Sequence, residues 1–452
     1  MPRHGQRSSA LPHLPDAVRT RHGGTQPVSQ SFDILVVGAG PAGIAAATRA
    51  AESGKRVGLV DDNFAPGGQI WRGADALSSA AAEWYKRLAA SPAMQLQGWR
   101  IFSQPSRGIL RAEKNGVHLD IAYNKLILAT GARERFLPFP GWTLPNVLGA
   151  GALQALVKSG LPIEGKRVVI AGSGPLLLAV AAYLTKHGAR ILEICEQASR
   201  ARLAAFATSI VTNFEKLQQA MTLRWQTRGA HFHTSCWPIA AHGSDDRLES
   251  VTLRKGNREW TIPCDYLACG FHLVPNTELA ELLGCTVTSV QVKVDENQLT
   301  SIPGIYCAGE PTGIGGLESS LIEGEIAGYS ASGQMSKANA LQGKRRKLHE
   351  FASRLETAFG LDPALRHLPK SDTIVCRCED VPFNAMASHS SWRDAKLQTR
   401  CGMGPCQGRI CGPAAEFLFG WRPDSIRPPV FPTHLSSLAD ASAPLEAQLK
   451  TK

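Results

Sequence analysis

A strand, a glycine-rich turn, a helix and a second strand follow one another between residues 32 and 62, and this order constrains the fold more than any other feature. In such a βαβ unit, glycines permit a tight turn and let a pyrophosphate approach the helix N-terminus, while a final acid accepts ribose hydroxyls. The stretch therefore predicts a dinucleotide-binding Rossmann unit. Its cofactor contacts are expected from the turn, the first helical residues and the acid: Gly38, Gly40, Pro41, Ala42, Gly43 and Asp61.

The same order recurs between residues 166 and 198, where a strand, Gly172-x-Gly174, a helix and a second strand lead to Glu196. Leu177 stands at the third glycine position, and a side chain of that size should push helix and strand apart or displace a nucleotide. Two interpretations therefore stay open: a bound nucleotide of the NAD or ATP-like type, or a retained domain without one. Glu196 favours a free ribose hydroxyl, so NADPH is the least expected occupant.

Composition narrows the class of protein. The chain has 452 residues, 43% hydrophobic and 19% charged, which predicts a globular protein of about two or three domains. Its net charge of +11 is not gathered into a basic stripe with aromatic residues, so no nucleic-acid partner is expected. The uncharged run 168–185 contains a glycine turn, which favours a buried strand, turn and helix over a transmembrane segment.

Eleven cysteines without an export signal indicate a reducing compartment, so we expect a cytoplasmic protein whose thiols are free or bind metal. Five lie near the C-terminus, as Cys376-x-Cys378 and as Cys401, Cys406 and Cys411 at x4 spacing among several glycines. Four thiolates hold either zinc or an iron–sulfur cluster. Glycines let backbone N–H groups approach sulfur and stabilise an anionic cluster, which favours iron–sulfur over zinc or unrelated thiols.

Further stretches carry a family resemblance: "APGGQIWRG" at 65–73, "LILATGARERFLPFPGW" at 126–142 and "SIPGIYCAGE" at 301–310. Together with the two Rossmann units, they resemble the glutathione-reductase-like pyridine nucleotide–disulfide oxidoreductase superfamily. The resemblance implies FAD in the first unit, and Glu310 stands where that superfamily usually has Asp. The further cofactor contacts that it implies are Gly67, Gly68, Gln69, Arg72, Thr130, Gly131, Gly309 and Glu310. The redox-active cysteine pair of the disulfide reductases is missing, so thiol–disulfide exchange is not expected.

The C-terminal stretches "CRCED" and "QTRCGMGPCQGRICGP" are similar to the small helical [2Fe–2S] domain of the bacterioferritin-associated ferredoxin type. By position, the resemblance implies Cys376, Cys378, Cys406 and Cys411 as the iron ligands. Cys401 falls at a position that does not bind iron in that domain.

These features predict an α/β protein with two Rossmann-like dinucleotide-binding domains, as in a glutathione-reductase-like flavoprotein, followed by a small helical [2Fe–2S] domain. The expected division is a disordered extension (1–30), the first part of the FAD domain (31–150), the second Rossmann-like domain (151–290), the return segment of the FAD domain (291–335), a helical connector (336–371), and the [2Fe–2S] domain with the C-terminal tail (372–452).

Over most of its length the chain is similar to the A or alpha subunits of a group of amino-acid-oxidising complexes. The group comprises opine oxidases for octopine and nopaline, hydrogen cyanide synthase (its B subunit), and dye-linked proline and hydroxyproline dehydrogenases. "PGGQIWR", "GARERFLPFPGW" and "GEPTGIGG" are among the motifs that fit. The resemblance implies an electron-transfer subunit beside a D-amino-acid-oxidase-like or glycine-oxidase-like flavoprotein that oxidises a CH–NH bond, with a quinone or another carrier as acceptor.

Other functions stay open at this point. The chain is alternatively a self-sufficient NAD(P)H-dependent flavin and iron–sulfur oxidoreductase, which Leu177 argues against. A scaffold or iron-handling protein is a third interpretation. Peripheral attachment at the inner face of the membrane is compatible with each of these.

Overall fold

The computed structural model describes residues 29–71, 79–209, 214–244, 247–423 and 426–438. Almost all of the predicted extension 1–30, the predicted contact Arg72 and most of the C-terminal tail therefore lie outside the described residues.

The strands define the sheets of two domains and a small C-terminal hairpin. In chain order they are β1 Ser29–Val37, β2 Val57–Asp61, β3 Met94–Gln97, β4 Arg100–Ser106, β5 Ile109–Lys114, β6 Val117–Leu128, β7 Ala132–Glu134, β8 Val147–Gly149, β9 Arg167–Ser173, β10 Arg190–Glu196, β11 His231–Thr234, β12 Cys236–Ser244, β13 Arg247–Lys255, β14 Arg258–Pro263, β15 Tyr266–Phe271, β16 Leu273–Pro275, β17 Val287–Thr288, β18 Gln291–Val292, β19 Ile305–Cys307, β20 Ile374–Cys376 and β21 Val381–Pro382.

The helices cover the sheets and build the connector and the C-terminal domain. In chain order they are α1 Pro41–Ala51, α2 Gly68–Trp71, α3 Ser79–Ala90, α4 Ala150–Lys158, α5 Leu176–Lys186, α6 Arg200–Ser209, α7 Phe214–Gln226, α8 Glu278–Leu282, α9 Gly316–Ala331, α10 Met335–Ala340, α11 Gln342–Phe359, α12 Phe383–Ala387, α13 Trp392–Thr399, α14 Cys411–Phe419 and α15 Leu435–Leu438, with 3₁₀ turns at Glu310–Thr312 and Pro363–His367.

The first sheet has the order β3-β2-β1-β6-β5-β4 within the described residues, and β1 runs parallel to both β2 and β6. β19 comes from much later in the chain and pairs in parallel with β6, so the chain returns to this sheet after building the second domain. Helices α1 and α9 pack very closely, because a Cβ on Gly328 would lie 2.5 Å from the carbonyl oxygen of Ala46. The alanine-rich sequence of α1 thus permits this close helix contact.

The second sheet has the parallel order β11-β10-β9-β15-β8 in the described part of the chain, as expected for a second Rossmann-like domain. An antiparallel layer, β12-β13-β14, covers one of its faces. Two short antiparallel strands, β7 and β16, carry the chain between the two domains.

The chain passes from one domain to the other at earlier residues than the predicted boundaries, 151 and 290. Phe139 and Trp142 already lie in the core of the second domain, and β8 is a strand of its sheet. Leu279 and Leu283, on and just after α8, pack in the core of the first domain. The reason is that the chain changes domain at β7 and β16 rather than at the next helix.

The C-terminal domain follows the connector helices α10 and α11. The hairpin β20–β21 and helices α12, α13 and α14 enclose a core of apolar side chains and buried cysteines. Within the described ranges, every helix is too short or too polar to cross a bilayer.

Candidate functional site

The glycine turn after β1 has the geometry of a dinucleotide cradle. Gly38 has φ +103°, and a Cβ there would lie 2.2 Å from the carbonyl oxygen of Ala129. A Cβ on Gly43 would lie 1.7 Å from the carbonyl oxygen of Gly38, so only glycine permits this contact of helix and turn. At Gly40, by contrast, no atom of the described residues other than those of Gly40 and its two chain neighbours lies within 4 Å of the Cβ position. The turn is therefore tight on the strand side and open toward the N-terminus of α1.

Asp61 lies at the end of β2 beside this opening. Its Oδ2 accepts a 2.5 Å hydrogen bond from the backbone N–H of Ala39, and its Oδ1 accepts one of 2.7 Å from that of Asn63. Its Oδ1 also accepts a 2.7 Å hydrogen bond from Nδ2 of Asn63, and the side chain stays partly exposed. This is the position from which a carboxylate accepts ribose hydroxyls in a Rossmann unit.

The loop that precedes α2 folds back over the turn. The backbone N–H of Gly67 donates a 2.7 Å hydrogen bond to the carbonyl of Ala39, and a Cβ on Gly68 would lie 3.1 Å from Cα of Gly40. Gln69 is exposed, and its carbonyl accepts from Lys158 of α4. The predicted contacts at Gly67 and Gly68 thus lie at the cradle.

Thr130 and Gly131 follow β6, on the other side of β1. Asn276 joins them, because its Nδ2 donates a 2.9 Å hydrogen bond to the carbonyl of Thr130 while its backbone N–H donates one of 3.0 Å to the carbonyl of Gly131. Thr130 Oγ1 in turn donates to the carbonyl of Asn276 at 2.7 Å. The turn after β6 is therefore fixed to the segment that returns from the second domain.

Gly309 and Glu310 follow the return strand β19 and complete the cradle. Gly309 has φ +81°, and a Cβ there would lie 2.8 Å from Cβ of Ala42 in α1. Glu310 Oε1 accepts a 3.1 Å hydrogen bond from the backbone N–H of Gly316, whereas Oε2 is buried without a partner among the described residues. Burial raises the pKa of the Glu310 carboxyl to about 7.

Glu323 of α9 holds the loop at Gly309 in place by hydrogen bonds. Its Oε2 accepts 2.8 Å hydrogen bonds from the backbone N–H of Gly309 and from Oγ1 of Thr312. Its Oε1 lies 2.6 Å from Nε2 of His349 on the connector helix α11. Neither residue was expected from the sequence, because a buried Glu inside a helix carries no motif of its own.

These residues fit an FAD molecule. The open space at Gly40, the helix N-terminus without a side-chain cap and the partly exposed carboxylate of Asp61 suit a pyrophosphate and a ribose. The buried, unpartnered Oε2 of Glu310 is an acceptor in need of a hydroxyl donor, which a ribityl chain would supply.

The second glycine turn is closed by the protein itself. A Cβ on Gly174 would lie 3.9 Å from Cγ of Phe359, at the end of α11. Ser173 Oγ donates a 2.5 Å hydrogen bond to the carbonyl of Phe359, and Gln197 Nε2 donates a 3.2 Å hydrogen bond to the same oxygen. Since Gly174 is where a pyrophosphate would approach the backbone, Phe359 occupies the corresponding space.

The acid of the second unit is buried as well. Glu196 is 3% exposed, and its two oxygens accept hydrogen bonds from the backbone N–H groups of Gly174 at 2.7 Å and Ala198 at 2.8 Å. Burial raises the pKa of Glu196 to about 7. The predicted contacts Gly172, Gly174 and Glu196 therefore lie together, but under the end of α11 rather than in an open cleft.

Leu177, which stands at the third glycine position, is accommodated by the packing of the second domain. Leu177 is 1% exposed and packs in the core between α5 and the sheet. A Cβ on Gly270 of β15 would lie 3.1 Å from Cδ2 of Leu177, so that glycine makes room for the larger side chain. The compensation comes from a neighbouring strand, which the local motif does not include.

The C-terminal cysteines come together as a group of thiols. The sulfurs of Cys376, Cys401 and Cys411 all lie within 4.8 Å of one another, and all three side chains are buried. The thiol of Cys406 interacts with that of Cys411. The thiol of Cys378, which is exposed, interacts with that of Cys406. The group of three sulfurs thus contains two of the predicted ligands, Cys376 and Cys411, together with Cys401, which was not expected to bind iron.

Hydrogen-bond donors surround these sulfurs. The thiols of Cys401 and Cys411 and the backbone N–H of Gly402 donate to Cys376 and hold its pKa down at about 2. The thiol of Cys411 and nearby backbone N–H groups lower the pKa of Cys406 to about 5. The pKa of Cys378, Cys401 and Cys411 is raised instead, since these thiols donate to their neighbours or are buried. A group of buried cysteines with backbone donors nearby is compatible with a metal centre.

Strand β7, which crosses between the two Rossmann-like domains, also contacts the loop that contains Cys411. Arg133 Nε donates a 3.1 Å hydrogen bond to the carbonyl of Arg409, and Arg135 Nη1 donates one of 3.1 Å to that of Pro413. Glu134 points the other way and accepts from the backbone N–H groups of Gly151 and Ala152 at the start of α4. The "GARER" motif carries these residues, but the sequence alone did not indicate their role.

Comparisons with known proteins agree with this architecture. The family model described as pyridine nucleotide-disulphide oxidoreductase matches residues 32–335, which contain both Rossmann-like domains and the return segment. The A subunit of opine oxidase from Rhizobium meliloti strain 1021 is 31% identical to the chain, over 91% of this chain and 99% of that protein. The HcnB subunit of hydrogen cyanide synthase from Pseudomonas protegens is 29% identical over 84% of this chain and 90% of its own length.

Among solved structures, L-proline dehydrogenase from P. horikoshii superimposes with a TM-score of 0.65 at 17% identity, over 92% of this chain and 81% of that one. At that identity the likeness shows a shared fold, and it extends beyond the two Rossmann-like domains. The predicted fold class and the predicted resemblance to the opine oxidase group are thereby confirmed. The chain belongs to the pyridine nucleotide-disulphide oxidoreductase family, and over nine-tenths of its length it is similar to the A polypeptide of an opine oxidase.

Proposed function

We propose that this chain is the FAD- and [2Fe–2S]-containing electron-transfer subunit of a multi-subunit dehydrogenase for an amino acid, imino acid or opine. In this proposal a partner flavoprotein of the D-amino-acid-oxidase or glycine-oxidase type oxidises the CH–NH bond. This chain then passes the electrons to a quinone or another carrier. Two relatives are named as single subunits of opine oxidase and of hydrogen cyanide synthase, which supports a role as one polypeptide of several.

The chain's own residues would hold and orient the cofactors, which supply the electron-carrying chemistry. The N-terminus of α1 and the space at Gly40 would receive the FAD pyrophosphate, and Asp61 would accept its ribose hydroxyls. Glu310 would accept a hydroxyl hydrogen bond through its unpartnered Oε2. The thiolates of Cys376, Cys378, Cys406 and Cys411 would bind the [2Fe–2S] cluster.

The observation that carries this proposal is the difference between the two glycine turns. The space at Gly40 is open, while Phe359 lies over the equivalent Gly174. A nicotinamide dinucleotide at the second turn would have to displace Phe359 and break the hydrogen bonds that its carbonyl accepts from Ser173 and Gln197. We infer that electrons reach this chain from a partner protein rather than from NAD(P)H.

An anaerobic titration of the purified full-length chain tests this function. NADH is added first, followed by a panel of D-opines, D-amino acids and proline, each with and without the candidate partner flavoprotein. Flavin absorbance reports reduction of FAD, and EPR spectroscopy reports a reduced [2Fe–2S] cluster. We expect NADH alone to leave the flavin oxidised, and one substrate together with the partner to reduce both centres.

The alternative function, a self-sufficient NAD(P)H-dependent oxidoreductase, predicts the opposite result. If NADH alone bleaches the flavin and produces the cluster signal, the second domain is a working nicotinamide site and the relay proposal is wrong. The variant Phe359→Ala is a useful companion, because removal of the ring opens the second turn without touching the first. If NADH reduces the flavin in this variant and not in the wild-type chain, Phe359 is the residue that keeps NADH out of the second turn.

A further inference from the structure

The strand that crosses between the two Rossmann-like domains also holds the thiol group. Side chains alternate along an extended strand, so Arg133 and Arg135 share one side of β7 while Glu134 lies on the other. The two arginines donate to the carbonyls of Arg409 and Pro413, two residues before and two residues after Cys411. Both contacts therefore fix the backbone on either side of one predicted iron ligand.

Arg133 also connects this loop with the FAD cradle. Its Nη1 donates a 2.6 Å hydrogen bond to Oδ1 of Asn276 and lies 2.9 Å from Oε1 of Glu278. Asn276 is the residue that bonds the turn at Thr130 and Gly131. The charge of Arg133 is thus balanced by a carboxylate, and its contacts form a continuous hydrogen-bonded link from the cradle to the cysteine loop.

Arg135 differs from Arg133 in its charge balance. Its Nη1 donates to Pro413, but its Nε is buried without an acceptor, and no described carboxylate forms an ion pair with its guanidinium. The nearest acid of α14, Glu416, pairs with Arg422 instead. The Arg135 guanidinium, close to the start of α14 at Cys411, thus has no described carboxylate within ion-pair distance, although Glu416 and Glu356 attract it from farther away.

This inference rests on the proposed [2Fe–2S] cluster. We propose that Arg133 and Arg135 are positioning residues that dock the cysteine loop on the crossing strand, and that the charge of Arg135 raises the reduction potential of the cluster. Reduction adds one electron and changes no covalent bond, so the cluster gains one negative charge. A nearby positive charge stabilises the reduced form more than the oxidised form, which makes the potential more positive.

The test is an EPR-monitored potentiometric titration of the full-length chain, with dithionite as reductant and mediator dyes. Arg135→Gln removes the charge, Arg135→Lys keeps it, and Arg393→Gln is the control because Arg393 is an exposed arginine of the C-terminal domain. We expect the midpoint potential to fall in Arg135→Gln, to stay near the wild-type value in Arg135→Lys, and to be unchanged in Arg393→Gln. A merely structural role would not lower the potential of a cluster that Arg135→Gln still holds.

Docking is measured separately by hydrogen exchange. In Arg133→Gln, backbone amides of residues 406–414 should exchange faster than in the wild-type chain, also when iron has been removed. Loss of iron from Arg135→Gln alone, with iron retained in Arg135→Lys and Arg393→Gln, would likewise support the proposal.

Two results would overturn it, and they can be distinguished. If the wild-type chain shows the cluster signal and Arg135→Gln titrates at the same potential, the inference fails while the proposed function stands. If the wild-type chain, reconstituted anaerobically with iron and sulfide, gives no [2Fe–2S] signal, the proposed function fails and this inference fails with it.

Discussion

The carboxylate of Glu323 lies 2.6 Å from Nε2 of His349, and this contact joins the helix beneath the FAD cradle to the connector helix α11. The other carboxylate oxygen of Glu323 holds the Gly309–Thr312 loop. A single buried side chain thus links the return segment of the first domain with the helix that leads to the cysteines.

We expect Glu323→Gln to lower the free energy of unfolding by about 2 kcal/mol, because hydrogen bonds to a charged acceptor contribute more than neutral ones. FAD should also be lost more readily, since a neutral amide oxygen is a weaker acceptor for Gly309 and Thr312 than the carboxylate oxygen. Denaturant unfolding and the flavin content after gel filtration measure both effects. His349→Gln should have the smaller effect, because the His349 side chain is 44% exposed. Equal effects of the two variants would contradict this account.

Replacement of Phe359 by Ala should destabilise the chain by about 3 kcal/mol, as for other buried aromatic side chains. Phe359 is 8% exposed and packs with Ala198 and Phe206. The comparison is Phe351→Ala, which removes a ring from the same helix without touching the second glycine turn. Equilibrium dialysis with NADH and with ATP should detect binding only after Phe359→Ala. Binding of either nucleotide by the wild-type chain would show that α11 leaves the turn accessible.

The stability of the FAD-free chain should fall as the pH rises from about 4.5 to about 7. Burial raises the pKa of Glu310 to about 7, so the folded chain keeps a proton that the unfolded chain has already released. Stability from this group is complete below the unfolded pKa and is lost as the pH passes through the folded pKa. For Glu310 alone this amounts to at most about 3 kcal/mol.

Glu310→Gln should flatten this part of the pH profile, and Glu318→Gln, at an exposed position of α9, should leave it unchanged. Binding of FAD should flatten it as well, since a hydroxyl that donates to Oε2 favours the ionised carboxylate. Denaturant titrations at several pH values measure the slope. Part of the remaining dependence would come from Glu196, whose pKa burial also raises to about 7, and from Glu134 and Glu281, whose pKa burial raises as well. A profile that Glu310→Gln leaves unaltered would refute the assignment.

Substitution of single cysteines can distinguish the ligands of the cluster from Cys401, the neighbouring thiol that is not expected to bind iron. Cys376→Ala and Cys411→Ala should abolish iron binding, and Cys378→Ala and Cys406→Ala should do the same. Cys401→Ala should retain iron, although its sulfur lies with those of Cys376 and Cys411. Iron analysis and visible absorbance after anaerobic reconstitution measure the outcome. Loss of iron with Cys401→Ala and its retention with Cys378→Ala would make Cys401 the fourth ligand.

The sequence was informative wherever function depends on local backbone geometry. The spacing of Gly38, Gly40 and Gly43 follows from contacts within one turn, so the motif predicted the cradle and its fold. The pairs of cysteines were likewise visible from their spacing. In both cases the relevant residues are close in the chain, and their chemistry depends little on the remainder of the fold.

Contacts between distant segments could not be predicted in this way. Phe359 lies 185 residues after Gly174, and nothing in the sequence of α11 indicates that its end covers a glycine turn. Gly270 compensates for Leu177 from a different strand. Arg133 and Arg135 were seen as part of a motif, but their partners in the cysteine loop are backbone carbonyl groups, which exist at every position and leave no signature in a sequence.

The alternation along β7 has a consequence for how this chain can change in evolution. Glu134 caps a helix of the second domain, while the arginines on either side of it hold the cysteine loop. Inserting or deleting one residue here would exchange the two sides, turning a carboxylate toward the thiolates and leaving the start of α4 without its acceptor. A substitution in this strand can therefore remove one of these contacts and leave the others. A change in the length of the strand would remove the contacts to the second domain and to the cysteine loop together.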